Sequence, residues 1–148
     1  MIDTEELAAL VPHKGKMFLL SRIASWDPAK HSLTAEFDIT RDCLFFKNDL
    51  GGIPAWAGFE LMAQSISALS GLVGREKGLP PQYGFILSLS EMILHAPVLS
   101  GTVSIVSEEE TVMDNVYSFR SCVYTGTAKA VSAKLTVMEV SDILVVQR

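Results

Sequence analysis

Residues Gly51–Gly74 read GGIPAWAGFELMAQSISALSGLVG, and this stretch decides the fold. A proline is tolerated in a first helical turn, and glycine commonly ends a helix, so we predict a helix from about Pro54 to Gly74, closed by Gly74 or Gly78. The only charged side chain in the stretch is Glu60. A helix this apolar is normally buried, so the rest of the chain is expected to pack around it.

The two faces of this helix differ in composition. An apolar stripe recurs at helical spacing on one face: Met62, Ile66, Leu69 and Val73. A small and polar set recurs at the same spacing on the other: Glu60, Gln64, Ser67 and Gly71. We therefore expect the polar face to carry chemistry if the protein is an enzyme.

Glu60 is the first candidate for a catalytic group. Burial of a carboxyl group among apolar side chains disfavours its charged form, so we expect desolvation to raise the pKa of Glu60 towards neutrality. Enzymes obtain an acid or base in this way. The alternative is a glutamate that reaches solvent or pairs with a structural arginine.

Length and composition restrict the possible functions. The chain has 148 residues and a net charge of -5, which fits one domain and disfavours nucleic-acid binding. Two cysteines, Cys43 and Cys122, do not indicate a disulfide framework or a zinc site. The acidic N-terminus MIDTEELAAL does not resemble a signal peptide, so we expect a cytoplasmic protein.

The remaining pattern predicts one short helix and several strands. The short helix runs to Leu10, capped by Asp3 or Thr4. Alternation of apolar and polar residues, bounded by turn-forming residues, predicts these strands: Met17–Trp26, Leu33–Thr40, Phe85–Leu94, Thr102–Val112, Val116–Tyr124 and Ala130–Val140.

This order of elements predicts an α+β fold. Two strands, one long helix and about four more strands suit an antiparallel sheet of five to six strands wrapped around a central helix. Short turns between the later strands favour a meander. We expect residues 1–148 to form one domain, with 141–148 a possible flexible tail.

Several motifs carry a resemblance to a known family. Leu10–Lys14 followed by Met17–Leu20 looks like the opening of the beta-hydroxyacyl-ACP dehydratases of the hotdog fold. Glu60–Gln64 resembles their helix signature, in which the acidic residue is catalytic. Gly52–Trp56 and Tyr83–Leu87 are similar to a divergent branch, the dehydratase-like proteins encoded with aryl polyene and related type II fatty-acid clusters.

The chain departs from the family at one position. Dehydratases of this fold pair the helix carboxylate with a histidine in the preceding loop, whereas this chain has no histidine between His31 and His95. Asn48, Asp49 or Leu50 occupies that place, so Glu60 would act with Asn48, with Asp49, through water, or with a partner subunit's residue. The resemblance gives His13 a structural role, capping or bonding backbone near a dimer interface.

Other site features are expected around the start of the helix. Backbone N–H groups of Gly51, Gly52 and Ile53 could polarise a thioester carbonyl, although the glycines could equally serve only the turn. Gln64 could hold the Glu60 carboxyl group or the substrate. Aromatic residues near the helix start could line an acyl tunnel or belong to the core, and these are Phe45, Phe46, Trp56 and Phe59. Basic candidates for a phosphopantetheine site are Arg22, Arg41, Lys47 and Arg75.

Three hypotheses for function follow from these residues and the resemblance. The first is dehydration of a 3-hydroxyacyl thioester carried on acyl carrier protein, with Glu60 as acid or base. The second is an acyl-ACP or acyl-CoA thioesterase that uses Glu60 with Asn48. The third is a non-catalytic partner of an active hotdog dehydratase. No metal or cofactor is expected, and the fold implies a homodimer or a heterodimer with another hotdog subunit.

Overall fold

A computed structural model of the protein describes residues 1–79 and 83–140. Within these ranges the helices are α1 (Thr4–Ala8) and α2 (Gly58–Glu76), with short 3₁₀ turns at Gly15–Met17 and Ala55–Ala57. The strands are β1 (Arg22–Asp27), β2 (Ser32–Asp38), β3 (Ile53–Pro54), β4 (Tyr83–Leu94), β5 (Val98–Leu99), β6 (Thr102–Met113), β7 (Val116–Thr125) and β8 (Ala128–Val140). The predicted tail, residues 141–148, lies outside the described residues.

Six strands form one antiparallel sheet in the order β1-β2-β6-β7-β8-β4. The helix α2 packs against β2, β6 and β7, which places it across the concave face of the sheet. Alternating burial along β2 shows why these residues form strands, since every second side chain faces the helix. The α+β prediction of a sheet wrapped around one helix is therefore confirmed, and this is the hotdog fold.

The central helix has nearly the predicted length. Its first turn is 3₁₀, from Ala55 to Ala57, and the α-helix continues to Glu76. Of the two predicted terminating glycines, Gly78 is the one used: its φ of 72° is left-handed, and the N–H of Leu79 donates to the carbonyl of Gly74 at 2.9 Å. These features are the usual end of a helix at a glycine.

The predicted meander is only partly correct. Strands β6, β7 and β8 are consecutive neighbours, but β4 pairs with β8 and lies at the far edge of the sheet. The chain therefore crosses the sheet between β4 and β6, and a short pair of strands, β3 and β5, lies outside the main sheet. Because β4 is at the edge of the sheet, one of its sides has no backbone partner among the described residues.

The predicted strand Met17–Trp26 begins later than expected, at Arg22. The backbone before it is bonded elsewhere, because the N–H of Leu19 donates to Oε1 of Gln64 at 2.9 Å and the carbonyl of Met17 accepts from Nε2 of the same amide. A side chain of α2 thus takes the place of a neighbouring strand. Within the described residues, no helix is long and apolar enough to cross a membrane.

Candidate active site

Residues 10–19, here called the crossing segment, pass over the polar face of α2. They approach the helix most closely at Gly71, where an added Cβ would lie 2.3 Å from the carbonyl oxygen of Leu10. The amide of Gln64 bonds the other end of the segment, as described above. Because both contacts are on the face that carries Glu60, the segment brings its own side chains over that carboxylate.

His13 lies beside Glu60 as a result. The imidazole Nε2 is 3.5 Å from Oε1 of Glu60, and the two side chains are 25% and 16% exposed respectively. The Nδ1 atom of His13 is buried and has no hydrogen-bond partner in the described part of the chain. The backbone bond expected for His13 is not seen in the described residues, and the ring contacts the carboxylate instead.

Gln64 holds the carboxylate from the other side. Its Nε2 donates to Oε1 of Glu60 at 3.1 Å, one helical turn away, and the side chain is fully buried. The amide therefore links the crossing segment, the helix and the carboxylate. The prediction that Gln64 could hold the carboxyl group agrees with this contact, and the amide fixes where Glu60 points.

The pKa of Glu60 moves in the direction opposite to the one predicted. Desolvation acts to raise it, as expected, but the hydrogen bonds from His13 and Gln64 and the attraction of His13 together lower the pKa of Glu60 below its ordinary value. Burial is visible in the sequence, whereas the contact with His13 depends on the fold. Glu60 is therefore a carboxylate at neutral pH, suited to accept a proton.

Glu60 and His13 line a pocket of about 150 Å³ between α2 and the strands β4 and β8. Apolar and polar side chains both line this pocket. Besides Glu60 and His13, the lining residues are Pro12, Ala63, Ile66, Ser67, Ser70, Gly84, Ile86, Val137 and Glu139. Apolar walls with a few converging polar groups are typical of sites for small organic ligands.

A second pocket of about 210 Å³ adjoins the first and shares Ser70 and Glu139 with it. The Nδ1 atom of His31 lies 2.8 Å from Oε2 of Glu109 at this second pocket. Burial, followed by the negative charge of Glu109, raises the pKa of Glu139. Sequence reasoning missed Glu139, since nothing in its strand pattern distinguishes it from a solvent-facing glutamate.

The other predicted site residues do not surround Glu60 in the single chain. Asn48 is exposed, and the Glu60 pocket is lined by other residues. Gly52 and Ile53 are buried beside β5, where a Cβ on Gly52 would lie 2.2 Å from the carbonyl oxygen of Leu99. The close approach explains this glycine by packing. The N–H of Gly51 donates within the turn, to the carbonyl of Lys47 at 3.0 Å, so it is already bonded.

The aromatic residues at the helix start pack together. The rings of Phe45 and Trp56 meet edge to face with centroids 5.6 Å apart, and Trp56 remains 48% exposed. Phe45 and Phe46 pack against the core, and none of these aromatic residues lines the Glu60 pocket. The tunnel-lining role predicted for them is thus not seen in the single chain, and the core alternative describes Phe45 and Phe46.

Two of the four basic candidates are engaged in ion pairs. Arg22 pairs with Glu36 and Asp38 on the neighbouring strand, and Arg75 pairs with Glu6. Arg41 and Lys47 are exposed near the loop that precedes α2. Among the described residues, no group of three or more histidine, cysteine, aspartate or glutamate side chains is placed to hold a metal ion.

Comparison with known proteins gives consistent results. Residues 5–147 match the ApeP-like family, described as ApeP dehydratase. A 3-hydroxyacyl-[acyl-carrier-protein] dehydratase, FabZ, from Chlamydia caviae is 26% identical over 129 residues, covering 83% of each chain.

Solved structures share the fold. A chain of the dehydratase heterocomplex ApeI:P from Xenorhabdus doucetiae superposes with a TM-score of 0.84 at 20% identity, covering 95% of each chain. A thioesterase from Haemophilus influenzae gives a TM-score of 0.69 at 14% identity, covering 95% of this chain and 92% of its own. At such identities these structures establish the hotdog fold only.

The family match spans nearly the whole chain, and it includes the crossing segment, the central helix and the strands that line the pocket. The dehydratase relative covers most of the same length. On this evidence the chain belongs to the ApeP-like dehydratase family.

Proposed function

We propose that this protein dehydrates 3-hydroxyacyl thioesters carried on acyl carrier protein, with Glu60 taking the proton from C2. The observation that carries the proposal is the state of Glu60: a largely buried carboxylate whose pKa is lowered, facing a pocket with apolar walls. Proton removal next to a thioester carbonyl needs a base that is ionised at working pH and shielded from water.

The comparisons support the choice of reaction. The family is described as a dehydratase, and the FabZ relative is a dehydratase acting on acyl-carrier-protein substrates. We place the protein in fatty-acid or aryl polyene-type biosynthesis in the cytoplasm. The exposed Arg41 and Lys47 are our candidates for contact with the acidic carrier and its phosphopantetheine arm.

Thioester hydrolysis is the weaker alternative. It relied on a pairing of Asn48 with Glu60, and the chain's own Asn48 is exposed rather than in the Glu60 pocket. The thioesterase neighbours share the fold at low sequence identity.

A subunit partnership is a second proposal, supported by strand β4. This edge strand exposes five large apolar side chains, each at least 39% accessible: Ile86, Leu87, Leu89, Ile93 and Leu94. The similar chain from Xenorhabdus doucetiae belongs to a dehydratase heterocomplex, ApeI:P. We propose that β4 pairs with the same strand of a second hotdog subunit, either another copy of this chain or a related dehydratase.

Product analysis tests the reaction. Purified protein is incubated with 3-hydroxyacyl-ACP, and the carrier is examined by intact mass spectrometry while free thiol is measured separately. We expect loss of one water molecule without thiol release, and Glu60→Gln should slow this reaction by ~10²–10⁴-fold.

Glu76→Gln is the matched control, since Glu76 is an exposed glutamate at the far end of the same helix and should leave the rate unchanged. Release of free thiol would mean a thioesterase. An inert carrier with the wild-type protein would favour the non-catalytic partner hypothesis.

A further inference from the structure

We infer that His13 is the second catalytic group of the site, the acid that protonates the departing 3-hydroxyl group, and this inference rests on the proposed dehydration. The chain has no histidine in the loop before the helix, where the family resemblance would place one. His13 reaches the same pocket from a different part of the chain, 47 residues before Glu60 in sequence. The pair is therefore complete within one subunit.

The position of the ring supports a chemical role. Its Nε2 atom lies 3.5 Å from the carboxylate, close enough to exchange a proton with it after a small movement, and both groups line the same pocket. The buried Nδ1 atom makes no hydrogen bond within the described residues. Neither ring nitrogen is thus committed to bonding the backbone, as it would be in a purely structural histidine.

The segment that carries His13 is firmly positioned. Two contacts with α2, at Gly71 and at Gln64, hold it, and Nζ of Lys14 donates to the carbonyl of Ala8 at 2.9 Å directly beside the histidine. Catalytic groups need supporting contacts of this kind to keep their geometry. The crossing segment thus positions His13, as the loop before the helix positions the histidine of the dehydratases that this chain resembles.

The proposed step balances. The Glu60 carboxylate takes the proton from C2, the electron pair forms the C2–C3 double bond, and the C3–O bond breaks as protonated His13 gives its proton to the leaving oxygen. The products are a 2-enoyl thioester and water, with Glu60 protonated and His13 neutral. Transfer of that proton from Glu60 to His13 across their contact restores the starting state.

The charges around the pair favour this division of roles. Glu60 lies on α2, Glu139 faces the same pocket from β8, and the described lining holds no lysine or arginine. Of the two carboxyl groups, Glu60 is the one whose pKa is lowered, so it is the ionised partner of the pair. Glu60 thus serves as the base and His13 as the acid.

The test uses two substrates and the variant His13→Gln. One substrate is 3-hydroxyacyl-ACP, whose hydroxyl group must be protonated to leave. The other carries an acetoxy group at C3, which can depart without protonation. We expect His13→Gln to slow elimination of water by ~10²-fold or more and to eliminate acetate at close to the wild-type rate. Glu60→Gln should be slow on both substrates.

Several outcomes would overturn the inference. If His13→Gln loses both eliminations equally, the histidine only supports the site, and if it keeps wild-type dehydration, the histidine has no role. His95→Gln, at an exposed histidine outside the pocket, is the control. A wild-type protein that eliminates from neither substrate would overturn the proposed function itself, which distinguishes the two failures.

Discussion

Glu60 is held in its ionised form by two neighbours of different kinds. Desolvation opposes ionisation, and the hydrogen bonds from His13 and Gln64 outweigh it. A carboxyl group whose pKa is lowered on folding stabilises the folded state above its unfolded pKa, and this contribution is lost as the pH falls through its folded pKa.

The lowered pKa of Glu60 predicts how the stability of the folded protein changes with pH. The wild type should lose stability relative to Glu60→Gln as the pH falls from neutrality to below about 4.5, which is the ordinary pKa of glutamate. The quantity compared is the free energy of unfolding of the two proteins. Urea denaturation at a series of pH values measures it. A difference that shifted towards the wild type on acidification would mean that the pKa is raised, as burial alone would make it.

The Glu60 contacts show what local reasoning can and cannot predict about single residues. An isolated carboxylate in an apolar helix is visible in the sequence, and so is the amide one turn later. The position of His13 is not visible, because it depends on where a segment 47 residues earlier crosses the helix. Asn48 is a candidate partner of Glu60 in the sequence because it lies shortly before the helix start. In the structure of the single chain its side chain is exposed.

The central helix and the crossing segment form one unit. The small residue at Gly71 lets the backbone of Leu10 lie directly on the helix, and the amide of Gln64 bonds the segment farther along. The polar face predicted from the sequence is therefore present: Gln64 and Gly71 are covered by the backbone of the crossing segment, and Glu60 and Ser67 line the pocket.

Replacement of Gly71 by alanine tests this contact. In an ordinary helix the change should stabilise the protein by ~1 kcal/mol, since alanine is the better helix former. Here the new Cβ would lie 2.3 Å from the carbonyl oxygen of Leu10, so we expect a net destabilisation of ~1–3 kcal/mol.

Chemical denaturation of Gly71→Ala beside Ser70→Ala measures the effect. Ser70 is the preceding residue on the same helix and is only half-buried, so Ser70→Ala should change stability little. A Gly71→Ala variant more stable than the wild type would show that the segment does not lie on the helix as described.

Most elements could be predicted because their signals are local. Alternation identified β2, β6, β7 and β8 to within a few residues, and the helix boundaries followed from Pro54 and Gly78. The apolar segment Met17–Leu20 has the composition of a strand, yet its backbone bonds the side chain of Gln64. Non-local pairing of this kind, like the position of β4 beyond β8, leaves no pattern in the sequence.

The single chain leaves one large apolar feature unexplained by its own fold. Strand β4 is at the edge of the sheet and exposes apolar side chains on its length, while the Glu60 pocket lies between this strand, β8 and α2. A second subunit paired along β4 would cover these side chains and extend the sheet. It would also lie next to the opening of the pocket.

Charge placed on β4 should therefore prevent association. We expect the wild-type protein to be a dimer in solution and the double variant Leu87→Glu/Ile93→Glu to be a folded monomer, measured by light scattering coupled to gel filtration. Met113→Glu is the control, because Met113 is 76% exposed and lies away from β4, at the end of β6 beside the turn to β7. A double variant that stays dimeric would place the interface elsewhere.

The most direct measurement follows the hydrogen at C2. The protein is incubated with a 2-enoyl-ACP in D₂O, and the hydrated product is analysed by mass spectrometry with fragmentation. We predict 3-hydroxyacyl-ACP bearing one deuterium at C2 with the wild type and unchanged enoyl-ACP with Glu60→Gln, because the Glu60 carboxyl group delivers that hydrogen. Deuterium at C2 at the same rate with Glu60→Gln would contradict the account.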